Sequence, residues 1–315
     1  MQQLDLFSGA VDLQALEDEA ISLLAEADPE PQSSDPEVLE GQLSLFGEPW
    51  RRSHAVQQAI DAFDLVAACS ALNGLLIIYP EDPRLNSHAI RVARLAQRLV
   101  HDSRQFGYLQ ALQDLGSHVP APLQEAYHRK LATTLEQAER QAQGAASRDA
   151  GFHYLRAGDL PAAERALRTA LEQNPTDARA RAYLADVLVQ LDKTQAARAE
   201  YRTALLQDPL AVDWPNVLDP DVADLPAIAE QDYGLEEAPE SWAAALGVVD
   251  GVFMPPKTPS QAVQADPQRP AGLQFYEGIA QELGAATPEA RVEARRALKL
   301  LCPPLFRRYL ARYGH

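Results

Sequence analysis

Residues 144–177 read GAASRDAGFHYLRAGDLPAAERALRTALEQNPTD, and residues 178–211 read ARARAYLADVLVQLDKTQAARAEYRTALLQDPLA. Laid over each other at a spacing of 34, the two stretches place like on like. Small Gly151 falls on Ala185, Ala163 on Ala197, and Pro175 on Pro209, while bulky Tyr154 and Leu167 meet Leu188 and Tyr201. A self-match at a fixed period marks stacked supersecondary units. Two small residues facing each other let the helices of one hairpin approach closely, and the larger ones fill the remaining groove. Gly158 can take the left-handed backbone that ends a first helix, Asp159 can cap the next, and Pro175 and Pro209 stop the second helices.

Ser147, Ala150, Gly151, Tyr154, Ala163, Leu167 and Pro175, with Arg181, Leu184, Ala185, Leu188, Ala197, Tyr201 and Pro209, occupy the positions that define the tetratricopeptide pattern. The segment 144–209 therefore resembles tetratricopeptide repeats. It departs from them in lacking their Trp in both units and their Gly in the second. The resemblance implies an all-α fold, a solenoid of helical hairpins acting as a protein-binding adaptor and not an enzyme. A more divergent unit precedes the pair. AFDLVAACSALNGLLIIYP (62–80) superposes on AGDLPAAERALRTALEQNP (157–175) at an offset of 95, so that Asp64, Leu65, Ala68, Leu72 and Pro80 fall on Asp159, Leu160, Ala163, Leu167 and Pro175. An irregular helical bundle holding one true repeat pair is the alternative.

The chain divides on this reading into five parts: an acidic tail over 1–49, a helical region with one degenerate repeat over 50–143, and the two repeats over 144–211. An acidic, Pro-rich linker region over 212–270 and basic C-terminal helices over 271–315 complete it. Apolar periodicity with Pro and Gly as punctuation predicts helices over 11–27, 54–63, 65–79, 84–102, 104–115, 121–143, 272–283, 288–301 and 304–313. Pro83, Pro122 and Pro288 suit first-turn positions, and Thr287 suits an N-cap. Leu75-Leu76-Ile77-Ile78-Tyr79 has the composition of a strand, but the repeat register makes it a helix end.

A formal net charge of −17 argues against holding a phosphate backbone along the whole surface, so no direct nucleic-acid partner is expected. The first 50 residues hold twelve acids and no Lys or Arg, which removes the n-region of a secretory signal. With no apolar run of bilayer length, the expectation is a cytoplasmic protein with no membrane partner. Cys69 and Cys302 stand far apart, without metal-ligand spacing, and read as buried apolar residues. The seven histidines form no HExxH, and no GxSxG, Walker loop or dinucleotide glycine cluster occurs, so no catalytic residue, metal or cofactor is expected. His153 reads as a packing or surface residue.

The first helices of stacked hairpins line a concave face. By register it carries Arg148, Asp149, Phe152, Arg156, Arg179, Tyr183, Asp186 and Gln190. Three arginines flanking two aromatic rings suit an extended acidic or carboxylate-bearing peptide; an ordinary solvated surface is the alternative. The acidic stretches 1–50 and 208–250 are candidates to fill that face in cis.

A pentapeptide occurs twice, as Gln3-Leu4-Asp5-Leu6-Phe7 and Gln42-Leu43-Ser44-Leu45-Phe46. Both copies resemble, at every position, the QL[SD]LF peptide with which bacterial polymerases and repair proteins dock on the DNA sliding clamp. In that resemblance Gln is the amide anchor, and Leu and Phe fill adjoining pockets. The competing reading packs the pentapeptides in cis, with Phe46 and Trp50 covering the open end of the repeat stack, in a scaffold unrelated to replication. Near the other end, 291–315 carries seven basic residues and one acid, with Arg291, Arg295, Arg296 and Lys299 near one stripe. A solvated face, a partner for the acidic segments and a small nucleic-acid contact are the three readings of that stripe.

Overall fold

The computed structural model describes residues 48–142, 148–236, 238–256 and 269–314. Among the described residues there are fifteen α-helices and no strand. Two compact units are formed, one ending at Leu131 and the other beginning at Ala132. The predicted helix 11–27, the linker 28–37 and both pentapeptides lie outside the described residues.

The first unit holds α1 (Glu48–Asp61), α2 (Leu65–Ile78), α3 (Pro83–Phe106), α4 (Tyr108–Leu115) and the first part of α5 (Gln124–Ala142). Asp64 caps α2 by accepting from the Ala67 N–H at 2.9 Å, and Asp82 caps α3 by accepting from Arg84 and Leu85. The strand-like run Leu75–Ile78 is the end of α2, as the repeat register predicts. Phe63, just before that cap, has a φ of 49° and is buried, its ring 5.5 Å from that of Tyr127. The aromatic contact and burial offset a backbone state that a Cβ disfavours. Cys69 is half-buried in α2, against the expectation of full burial, because it sits beside rather than on the Ala68–Leu72 stripe; desolvation pushes its thiol up to about 11. Cys302 is buried as expected.

The second unit begins with two hairpins, α6 (Arg148–Arg156) with α7 (Leu160–Gln173), and α8 (Ala178–Gln190) with α9 (Thr194–Gln207). Ala163, Leu167, Ala185, Ala197 and Tyr201 are fully buried. A Cβ on Gly151 would lie 2.5 Å from Leu167 Cγ, so the close approach of α6 to α7 depends on its missing side chain.

The three hairpin turns share one hydrogen-bond pattern. Asp64 N–H donates to Ala59 at 2.8 Å, Asp159 N–H to Tyr154 at 3.0 Å and Lys193 N–H to Leu188 at 2.9 Å. One residue earlier, Phe63, Gly158 and Asp192 all have positive φ. This is the Schellman closure, in which a left-handed residue lets the next N–H reach back five residues to satisfy an orphan carbonyl. The degenerate unit at 62–80 thus has the backbone turn of the two clear repeats.

Beyond α9 the chain continues through α10 (Pro220–Ala223), α11 (Leu225–Tyr233) and α12 (Ala243–Asp250), then α13 (Ala271–Leu283), α14 (Pro288–Leu301) and α15 (Pro303–Tyr313). The stretch read as a linker region therefore holds three α-helices, Pro220–Ala223, Leu225–Tyr233 and Ala243–Asp250. Trp242 and every residue of Ala243–Val249 are buried. Several acids in and beside this stretch are used at helix starts, where Asp208 and Asp219 accept backbone N–H groups, or are paired, as Asp250 is with Arg308 at 2.7 Å. In the last helices Arg295 and Tyr309 converge on Glu282, which is 3 % exposed. The basic stripe is thus tied mainly to its own module: Arg291 and Arg295 face Glu282, and Arg296 faces Glu293, while Arg308 reaches the acidic stretch.

Candidate functional site

The first helices of the two repeats, α6 and α8, lie side by side, and their facing residues follow from the period of 34. Phe152 and Tyr183 bring their rings to 4.8 Å between centroids. Beside this pair is an open cavity of about 290 Å3 lined by Phe152, Leu155, Arg156, Tyr183, Asp186 and Gln190, with Asn216 and Leu218 contributed from beyond α9.

Of the residues read from the sequence as one binding face, the structure brings Phe152, Arg156, Tyr183, Asp186 and Gln190 to this cavity. Arg148 and Arg179 are turned to other tasks. The Arg148 guanidinium donates to Asp177 at 3.0 Å, and Arg179 Nε donates to the Ala211 carbonyl at 2.9 Å. The expected trio of arginines is therefore one arginine, Arg156, at the cavity. The physical reason is local. Asp177 is the N-cap of α8 and Ala211 ends the turn after α9, and each presents an oxygen within reach of a long side chain on the neighbouring helix.

Asp186 is not a surface acid. It is 2 % exposed, accepts the hydroxyl proton of Tyr201 and accepts the Leu218 N–H at 2.9 Å. Desolvation pushes its pKa up to about 7 against the opposing pull of those two hydrogen bonds. Burial likewise moves Tyr183 to about 12, helped by Asp213, whose carboxylate lies 3.4 Å from the Tyr183 hydroxyl. His153, on the same helix as Phe152, is half-buried, and desolvation lowers it to about 4.

The segment 209–218, the start of the acidic stretch, forms one wall of the cavity. Trp214 Nε1 donates to the Pro209 carbonyl at 3.0 Å, and Asn216 donates to Asp213. Arg198 fixes the end of this strap, with Nε donating to Asp219 at 2.8 Å and a second nitrogen on Asp221. Asn216 and Leu218 were not legible as site residues, because they fall past the repeat period.

Residues 154–217 match the family model of the tetratricopeptide repeat. The match ends within the strap that walls the cavity. No curated protein and no solved structure gives a significant match to the chain. A tetratricopeptide repeat is a protein-interaction scaffold in general, so the all-α, tetratricopeptide-like fold points to protein partners. Among the described residues no helix is long and apolar enough to cross a membrane, and no group of three or more His, Cys, Asp or Glu could hold a metal ion.

A second cavity, of about 360 Å3, lies in the first unit and escaped the sequence reading. Arg91, Arg94 and Arg98 of α3 line it with Leu95, His118 and Pro120. The signal was present: α3 carries five arginines and one acid, Asp102, in a chain of net charge −17.

Proposed function

We propose that the chain is an adaptor that holds an extended peptide of one protein in the tetratricopeptide groove and docks on the bacterial replication sliding clamp through its twin pentapeptides. The observation carrying the groove reading is the Phe152–Tyr183 ring pair over an open cavity with Arg156 and Gln190 at its edge. The tilted ring pair offers apolar area at small entropic cost, and Arg156 offers a two-pronged contact to a carboxylate. Phage-displayed peptides selected on the full chain should lose binding to Phe152→Ala; selection unaffected by that change would remove the groove from consideration.

The clamp reading rests on Gln3, Leu4, Leu6 and Phe7 and on Gln42, Leu43, Leu45 and Phe46. Two copies on one chain would engage two subunits of a ring, the second contact being intramolecular and so stronger than its own affinity. Calorimetric titration of the clamp with the full chain should give binding that is abolished in the Phe7→Ala/Phe46→Ala double variant. Binding unchanged in the double variant would leave only the general scaffold.

A further inference from the structure

We propose that the arginine face of α3 is the docking site for the acidic segment Asp28–Glu37 of the same chain. Arg84, Arg91 and Arg98 recur every seven residues and so share one stripe of the helix, with Arg94 one turn to its side. The buried face of α3, carried by Val92, Leu95, Ala96 and Leu99, lies about 100° round the axis from that stripe. Arg91, Arg94, Arg98 and His118 are exposed and surround the cavity, whose floor is apolar Leu95 and Pro120. Among the described residues no carboxylate lies within ion-pair distance of Arg91 or Arg94, whereas Arg98 has Asp102 at 3.6 Å.

The occupant follows from charge and spacing. The segment Asp28-Pro29-Glu30-Pro31-Gln32-Ser33-Ser34-Asp35-Pro36-Glu37 contains the tripeptide Asp-Pro-Glu twice, seven residues apart, in a stretch without Lys or Arg. Drawn out at about 3.1 Å per residue, as Pro-rich chain is, the two tripeptides lie about 22 Å apart. Arg84 and Arg98 are fourteen helical residues apart, about 21 Å. One tripeptide would sit at the Arg91–Arg94–Arg98–His118 cavity and the other at Arg84. Reach is sufficient. Ten residues separate Glu37 from the start of α1 at Glu48, a span of up to about 33 Å, while α1 packs on α2 and α2 on α3 within the same unit. The short tether makes the contact intramolecular at high effective concentration.

The test places a photo-cross-linking benzoylphenylalanine at Ser33 of the full chain, irradiates at low protein concentration and maps the products by mass spectrometry. Expected are intramolecular cross-links to residues around Arg84–Arg98 and His118. Their yield should fall about tenfold in Arg91→Gln/Arg94→Gln/Arg98→Gln, the combined effect of three exposed charge pairs. Arg91→Glu/Arg94→Glu/Arg98→Glu should abolish them, and Asp28→Lys, Glu30→Lys, Asp35→Lys and Glu37→Lys added to that variant should restore them, a recovery that a misfolded helix would not give. Cross-links spread without preference, cross-links to the α6–α8 cavity, or links between chains only would overturn the proposal. So would tight binding of duplex DNA that the triple glutamine variant loses while its cross-links are unchanged, since phosphate would then be the occupant.

Discussion

The Tyr201 hydroxyl donates its proton to the Asp186 carboxylate inside the second hairpin, and the Leu218 N–H joins them at 2.9 Å from the same oxygen. A helix–helix contact within the repeat and the strap that walls the groove therefore meet on one buried acid. Tyr201 is pushed up by burial and by the Asp186 charge, so it remains the proton donor throughout the working pH range.

This arrangement predicts a pH-dependent stability. The Asp186 carboxyl titrates near 3.8 when unfolded and near 7 when folded. Between those values the unfolded chain has released a proton that the folded chain keeps, so raising the pH through this window lowers the free energy of unfolding. Above about 7 the loss is complete, with an upper size on the order of 4 kcal/mol. Asp186→Asn keeps an acceptor for the Leu218 N–H and has no proton to release. Urea unfolding of the two proteins should show them converging near the lower end of the window and the variant gaining on the parent toward the upper end. Parallel profiles would show that Asp186 titrates normally.

The two repeats differ at their turns in a way that can be exchanged. The first has Gly158 at a φ of 72° followed by Asp159, whose carboxylate caps α7 by accepting from Ala162. The second has Asp192 at a φ of 58° followed by Lys193, which makes no side-chain cap. Asp192→Gly removes the Cβ penalty, and Lys193→Asp supplies the missing acceptor, at the expense of an exposed contact of Lys193 with Glu164 at 3.8 Å. The double change should stabilise the chain by about 1–2 kcal/mol, since an exposed ion pair is worth less than a cap. Calorimetry should find a melting temperature raised by a few degrees; a fall would mean that Asp192 has a contact outweighing its backbone strain.

What the sequence disclosed and what it withheld follow from the range of the forces involved. The hairpins were readable because Gly151, Ala163, Ala185 and Ala197 are set by close packing within a repeat, and the caps at Asp64 and Asp159 act over three residues. The degenerate turn at Phe63 was readable from its neighbours, although its left-handed backbone was not, because Tyr127, which covers it, lies sixty-four residues away. Arg148 and Arg179 were placed on the right helices but assigned the wrong neighbours, since Asp177 and Ala211 approach them only through the packing of one helix on the next. The folding of the helices over 220–233 and 243–250 was hidden by composition. The acids there look like those of a linker, and their partners, such as Arg198 and Arg308, come from other helices.

Gly151 offers a direct test of the hairpin packing. An alanine there would put Cβ 2.5 Å from Leu167 Cγ and 3.3 Å from the Leu167 nitrogen, so backbone as well as side chain must move. Overpacking of this kind costs about 1–3 kcal/mol, which outweighs the better helix propensity of alanine. Gly151→Ala should lower the denaturation midpoint without changing the slope of the transition. A stabilised variant would show that α6 and α7 are further apart than described.

Arg198 holds the strap that walls the groove, so its replacement should report on the cavity itself. Its guanidinium spans Asp219, which is 3 % exposed at the side chain, and the exposed Asp221. Arg198→Ala would leave Asp219 buried without its cation, at a cost of about 3 kcal/mol, because a buried charge deprived of its partner is far more expensive than an exposed pair is valuable. Arg198→Lys keeps the charge but not the fork that reaches both carboxylates, and should recover only part of the loss. The strap carries Trp214, whose indole donates to the Pro209 carbonyl. The emission of a chain retaining Trp214 alone, with Trp50 and Trp242 replaced by Phe, should therefore shift to the red in Arg198→Ala at denaturant concentrations well below global unfolding. A strap that loosens only with the rest of the second unit would give one coincident transition, and the groove wall would then be part of the core rather than a separately closing element.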